Sequence, residues 1–92
     1  MIKVVTFMTN HSVVADVEEK GGSIVLVKPV QIVSGTSVGS YVFVPFMEYT
    51  EDFEKGIKIS KDKILCTATP LLDVYNEYNK RFGSGIVLAS VQ

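Results

Sequence analysis

Between Val13 and Ala68 the chain is a succession of short apolar runs cut by turn chemistry, a spacing that leaves room for little except β-structure. The alternation is cleanest at the start, where Val13, Ala15 and Val17 fall on one side of an extended backbone and Asp16 and Glu18 on the other. Glu19-Lys20-Gly21-Gly22 follows as a hairpin turn, because glycine adopts positive φ without a Cβ clash. Ser23 to Val33 is then nearly continuous apolar sequence interrupted by Lys28-Pro29. Proline brings no N–H to a ladder, so Pro29 marks either a bulge or bend in one long strand or the junction of two short ones. A long strand with a sharp bend is what a small barrel needs in order to close.

The loop Ser34 to Ser40 is small and polar with two glycines, and it leads into the apolar run Tyr41 to Met47. Within that run Pro45 points to an edge or to the end of regular pairing. Glu48 to Gly56 holds four of the ten acidic residues and reads as a solvated connection anchored by Phe53. Ile57 and Ile59 then alternate with Lys58 and Ser60, and after Lys61-Asp62 the residues Ile64, Cys66 and Ala68 share a face. These last two runs either pair as a tight hairpin or diverge around a barrel. Upstream, Ile2 to Met8 is a further candidate strand, closed by Thr9-Asn10-His11-Ser12.

The strongest helix signal comes late: Thr69 as N-cap, Pro70 at the first helical position and Gly83 past the end predict a helix over 70–82. Leu71, Val74, Tyr75, Tyr78 and Phe82 recur on one face, with Glu77 and Arg81 as an i, i+4 pair outside it. That stripe is expected to pack on the sheet. The apolar tail 86–91, beginning Ile86-Val87-Leu88-Ala89, is an aggregation hazard as an unpaired strand, so pairing with its own sheet or with a neighbouring subunit is expected.

Ninety-two residues make one small domain, which buries only about 60 to 65 per cent of the surface its unfolded chain exposes. A hydrophobic content of 47% and a mean hydropathy of +0.29 exceed what so small a monomer hides easily, which predicts an oligomer. The net charge of −1 and pI near 5.7 lack the overall basicity of a general nucleic-acid binder, although a ring concentrates one lysine per subunit into a circle of charge. Cys66 is the single cysteine, which excludes an intramolecular disulfide, and it is expected to behave as a small buried hydrophobe. His11 is the only histidine and has no triad or ligand pattern around it, while Glu51-Asp52-Glu54 lacks the spacing and glycine of a calcium loop. No metal or cofactor is therefore expected, and no nucleophile, base and orienting group assemble into an enzyme. Thr6, Thr9, Asn10 and His11 interrupt the N-terminal apolar run that a signal peptide needs, and no run is long enough to span a membrane. A cytoplasmic protein is expected.

The alternating strand, Lys-Gly-Gly turn, long bent strand, loop, third strand and close pair around Lys61-Asp62 together resemble the Sm-like (LSm) fold. More narrowly, Leu26-Val27-Lys28-Pro29-Val30, Val44-Pro45-Phe46-Met47 and the tyrosine-rich C-terminal helix are similar to small Sm-like proteins of marine phages, which would place the chain in the host cytoplasm. The resemblance implies a mainly β fold: a bent five-stranded antiparallel barrel over residues 13–68, followed by the C-terminal α-helix. It also implies a homo-oligomeric ring in which the fourth strand, around Phe53 to Ile59, pairs with the fifth strand, Ile64 to Ala68, of the next subunit.

Sm-like rings bind single-stranded RNA through two loops. One carries Asp-x-x-Met-Asn after the bent second strand, and the other carries Arg-Gly between strands four and five. Here those positions hold Ser34-Gly35-Thr36-Ser37 and Lys61-Asp62, so both family patterns are replaced. The resemblance makes Thr36, Ser37, Lys61, Asp62 and Lys63 the candidate RNA contacts, through hydroxyl groups and phosphate-seeking ammonium groups. Lys28 is a weaker candidate of the same kind. Tyr41 and Tyr49 are candidates for base stacking, whereas Tyr75 and Tyr78 suit the buried helix face better. The alternative function is a structural or protein-interaction ring that keeps the assembly without RNA recognition.

Overall fold

The computed structural model describes residues 1–37 and 39–83; the apolar tail 86–91 lies outside the described residues. Six strands form one antiparallel sheet: β1 (Ile2–Phe7), β2 (Ser12–Lys20), β3 (Ser23–Ser34), β4 (Tyr41–Pro45), β5 (Ile57–Ser60) and β6 (Ile64–Ala68). A short helix α1 (Asp52–Lys55) precedes β5, a 3-10 turn (Lys61–Lys63) separates β5 from β6, and helix α2 (Leu72–Phe82) follows. The order across the sheet is β4-β3-β2-β1-β6, with β5 also on β3.

The bend falls at Lys28-Pro29, and β3 runs through it as one strand. Val14 faces Val30 and Asp16 faces Val27, so β3 carries one residue more than β2 across this interval, a β-bulge. Lys28 takes φ 51, in the left-handed region, and Pro29 is fully buried. Because β3 changes direction there, its outer edge serves two partners: Ser23 to Leu26 pair with β5, and Val30 to Ser34 pair with β4.

The five-stranded barrel is corrected in two respects. First, Ile2–Phe7 is a full strand in the interior of the sheet, between β2 and β6, so the strands number six among the described residues. Second, among the described residues the sheet does not close. β5 and β6 diverge, β5 onto β3 and β6 onto β1, instead of forming a hairpin. The 3-10 turn between them enforces this, with the Lys61 amide bonded to the Gly22 carbonyl (3.0 Å) and the Lys63 carbonyl accepting from the Met8 amide (2.9 Å).

Both faces of the sheet carry core. One cluster gathers Val5, Val13, Ala15, Ile24 and Leu26 of β1, β2 and β3, with Phe7, Val17, Ile59 and Ile64 packed around them from β1, β2, β5 and β6 and Phe46 from just beyond β4. The other gathers Val14, Val30 and Phe43 beneath Val74 and Tyr78 of α2. Val14 is thus buried on the face that alternation assigns to solvent, because the helix covers it. Helix α2 starts later than predicted: Leu71 remains extended (ψ 153), and Thr69 accepts a hydrogen bond from Lys3 Nζ (3.1 Å) instead of capping the helix. Asp73 Oδ1 accepts from the Val74 amide (2.9 Å) in the first turn. The predicted end at Gly83 and the Glu77–Arg81 ion pair (2.6 Å) are both present. Leu71 is exposed, and Phe53 lies in α1 instead of a strand or an irregular connection.

The Tyr78 hydroxyl donates toward two carbonyls at the bulge, Lys28 O at 2.8 Å and Val27 O at 3.1 Å. Burial pushes its pKa well above the ordinary tyrosine value, with the Asp16 amide acting in the opposite direction. Tyr78→Phe should therefore destabilise the fold by about 1–3 kcal/mol in denaturant titrations, since two carbonyls lose their side-chain donor. The sign of the pH effect is also fixed. Folded and unfolded chains both keep the Tyr78 proton below about pH 10, but above it the unfolded chain releases the proton first, so stability falls as pH rises. That fall should be shallower in Tyr78→Phe than in the native chain.

Candidate nucleic-acid interface

The candidate RNA contacts fall in two turns, one beyond each end of the bent strand β3. Thr36 and Ser37 are exposed in the loop after β3, which is closed by Gly35 N to Ser40 O (3.0 Å) and Ser40 N to Ser37 O (3.1 Å). Ser40 Oγ also donates to the Ser37 carbonyl (2.7 Å) and accepts from its amide (3.2 Å), so the Ser37 main chain is engaged while the residue remains exposed. Lys61, Asp62 and Lys63 form the exposed 3-10 turn, which is bonded to Gly22 immediately before β3 begins. Among the described residues no hydrogen bond or ion pair joins the two groups.

A second turn does lie beside the 3-10 turn. Lys20-Gly21-Gly22 joins β2 to β3 there, with Lys20 paired to Ser23 in register and Gly21 at φ 58. Lys20, Lys61 and Lys63 are all exposed at this end of the sheet, but Glu19 and Asp62 share it. Lys61 Nζ lies 3.9 Å from Glu19 Oε2, an exposed pair worth about 0–1 kcal/mol. The Lys-Gly-Gly motif is the sequence signal for this arrangement, since a tight turn next to another turn makes a compact polar end.

Other candidates are assigned by their contacts. Lys28 Nζ reaches the Phe82 carbonyl (3.2 Å) at the C-terminal end of α2, where a cation complements the helix dipole, so this lysine serves the fold. Tyr78 is in the core, and Tyr75 is half-buried. Tyr41 is half-buried against Phe43, with ring centroids 5.3 Å apart, and its pKa is raised by burial and then by Asp73 and Glu77. Tyr49 is 95% exposed. His11 sits in the β1–β2 turn, with Nδ1 2.9 Å from Thr9 Oγ1.

Cys66 is exposed on β6, contrary to the expectation of a buried thiol, because among the described residues β6 has a partner strand only on its β1 side, and Leu65 beside it is also 55% exposed. Thiol reagents should therefore label Cys66 in the isolated folded chain at a rate close to that of the unfolded chain. Among the described residues no three His, Cys, Asp or Glu side chains converge as metal ligands, and no helix is long and apolar enough to cross a membrane. Comparison with family models and with curated proteins returns no match for the chain.

Proposed function

We propose that this chain is a non-enzymatic, self-assembling β-sheet protein of Sm-like type that binds single-stranded RNA and acts in RNA metabolism or regulation in the cytoplasm. One observation supports it above the others. The exposed lysine turn 61–63 lies between β5 and β6, and among the described residues each of these strands pairs along one edge only. Joining β5 of one copy to β6 of the next satisfies both open edges and repeats the lysine turn around the assembly. Exposed apolar residues on and near these strands, Leu65 and Met8 among them, give such an interface hydrophobic area.

A second reading, an assembly that makes protein contacts without RNA, is favoured by the Glu19 and Asp62 carboxylates beside the lysines. Native mass measurement and a salt series of oligoribonucleotide titrations separate the two. On the RNA reading the protein is an oligomer, binding weakens with salt, and replacing Lys61 and Lys63 with alanine lowers the salt slope by about 0.7 for each phosphate left without its cation. Oligomers that bind no RNA at low salt establish the second reading, and a monomer removes both. Assembly through β6 should also protect Cys66 from thiol reagents, with protection disappearing on dilution below the dissociation concentration.

A further inference from the structure

We propose that a cleft at the open end of the inner sheet face binds a nucleotide, laying its base against the Phe7–Phe46 pair and its phosphate at Lys63. The site takes Lys63 from the 3-10 turn and no residue from the loop after β3, and the choice of an RNA nucleotide as occupant rests on the RNA reading. Phe7 and Phe46 have ring centroids 6.2 Å apart, tilted by 37°, and together they wall two adjoining hollows of about 260 and 270 Å³. One hollow continues past His11 to Gln31, and the other ends at Lys63. Each is just below the roughly 300 Å³ at which pockets for drug-sized ligands begin, a size that suits a single ring system.

Gln31 carries most of the argument. Val13 and Gln31 are paired directly across β2 and β3, so they share a face, and on that face Val13 is core. Gln31 is thus a polar side chain among Val13, Phe7 and Phe46, half-buried and without a hydrogen-bond partner among the described residues. A primary amide offers a donor pair and an acceptor, which matches the donor–acceptor edge of a base. The amide is reached by solvent at the mouth of the hollow, so it is open to a ligand that replaces water there. His11, with one nitrogen held against Thr9, adds a second polar group from the same side. The aromatic walls favour the flat face of a ring, and base–aromatic stacking tolerates any base.

Lys63 sets the anionic end. Its carbonyl accepts from the Met8 amide (2.9 Å), which ties the 3-10 turn to the β1–β2 turn and places the lysine at the cleft. Phe46 is held by its amide to the Pro29 carbonyl (2.9 Å), and Phe7 by its amide to the His11 carbonyl (2.9 Å). The register between β1 and β6 also shifts between Thr6 and Phe7, an irregularity of the kind that re-aims a side chain. The walls are therefore positioned by main-chain bonds before any ligand arrives.

The test uses the full chain, with anisotropy of labelled six-nucleotide uridylate and adenylate strands and with amide NMR shifts on adding UMP or AMP. Gln31→Leu should weaken binding about three- to tenfold, as expected for removing one or two hydrogen bonds, while a thermal melt no lower than native shows that the apolar replacement folds. Lys63→Gln should reduce the salt slope by about 0.7. If the native chain binds RNA and Gln31→Leu binds it equally well while Lys61→Ala does not, the cleft is overturned and the RNA reading survives. If mononucleotides shift cleft amides in a Gln31-dependent way but no strand binds, the cleft stands with a free nucleotide as occupant and the RNA reading fails. Absence of both responses overturns both.

Discussion

The rest of the structure depends on the bond network that holds the bulge in β3. A non-glycine residue in the left-handed region costs about 1–2 kcal/mol, and Lys28 occupies it beside a buried proline that cannot donate to the ladder. Tyr78 offsets this by presenting one hydroxyl to the carbonyls of Val27 and Lys28. Lys28 in turn sends its ammonium group to the Phe82 carbonyl at the end of the same helix. Bulge and helix are thus each other's support, and α2 is positioned by the strand irregularity it stabilises. The consequence is topological, because a straight β3 would offer one outer edge to one partner, whereas the bent strand places β5 and β4 on different stretches of it.

That bend is legible in the sequence, since a proline in the middle of a β-branched run must sit at a bulge, a bend or a junction. So are the Gly21-Gly22 turn, the end of β4 at Pro45 and the helix stripe centred on Val74 and Tyr78. The place of Ile2–Phe7 is not. Its residues alternate weakly in polarity, and whether such a run is an interior strand depends on partners far away in sequence: β6, more than fifty residues on, contributes one of its two ladders. That the sheet does not close among the described residues escapes the sequence for a related reason. Alternation says which face of Ile57–Ser60 and Ile64–Ala68 is apolar, but the three-residue 3-10 turn between them decides whether they pair or part. The helix start escapes the sequence because Thr69 has the chemistry of a cap but commits its hydroxyl to Lys3, while Leu71 keeps the chain extended.

Site residues are less legible than fold. Family loop order groups Thr36 and Ser37 with Lys61 to Lys63, but it carries no distance, and among the described residues no hydrogen bond or ion pair links the two groups. Phe7, Gln31 and Phe46 come from three separate runs, and their convergence follows from register: Val13 opposite Gln31 on one side, the irregularity at Thr6 and Phe7 on the other. The one signal in the chain is Gln31 itself, a polar residue inside Val30-Gln31-Ile32-Val33. In an amphipathic strand such a residue reads as the solvent face, and only pairing reveals that it shares the face of core residues.

Electrostatics then separates the two lysines of the 3-10 turn, which the resemblance offers together. Lys61 lies toward Glu19, so a phosphate approaching it meets a carboxylate within a few ångströms and gains less than from an isolated cation. Lys63 has no carboxylate within ion-pair distance among the described residues, and its main chain is fixed by the Met8 amide at the mouth of an apolar cleft. Low-polarity walls beside a charge reduce screening and lengthen the reach of its field. An anion choosing between them is drawn to Lys63, where attraction and apolar surface act on the two ends of one ligand. The acidic balance of the whole chain does not oppose this, because at physiological salt a field decays within about 8 Å, and over that distance the composition of the cleft outweighs the sum over the molecule.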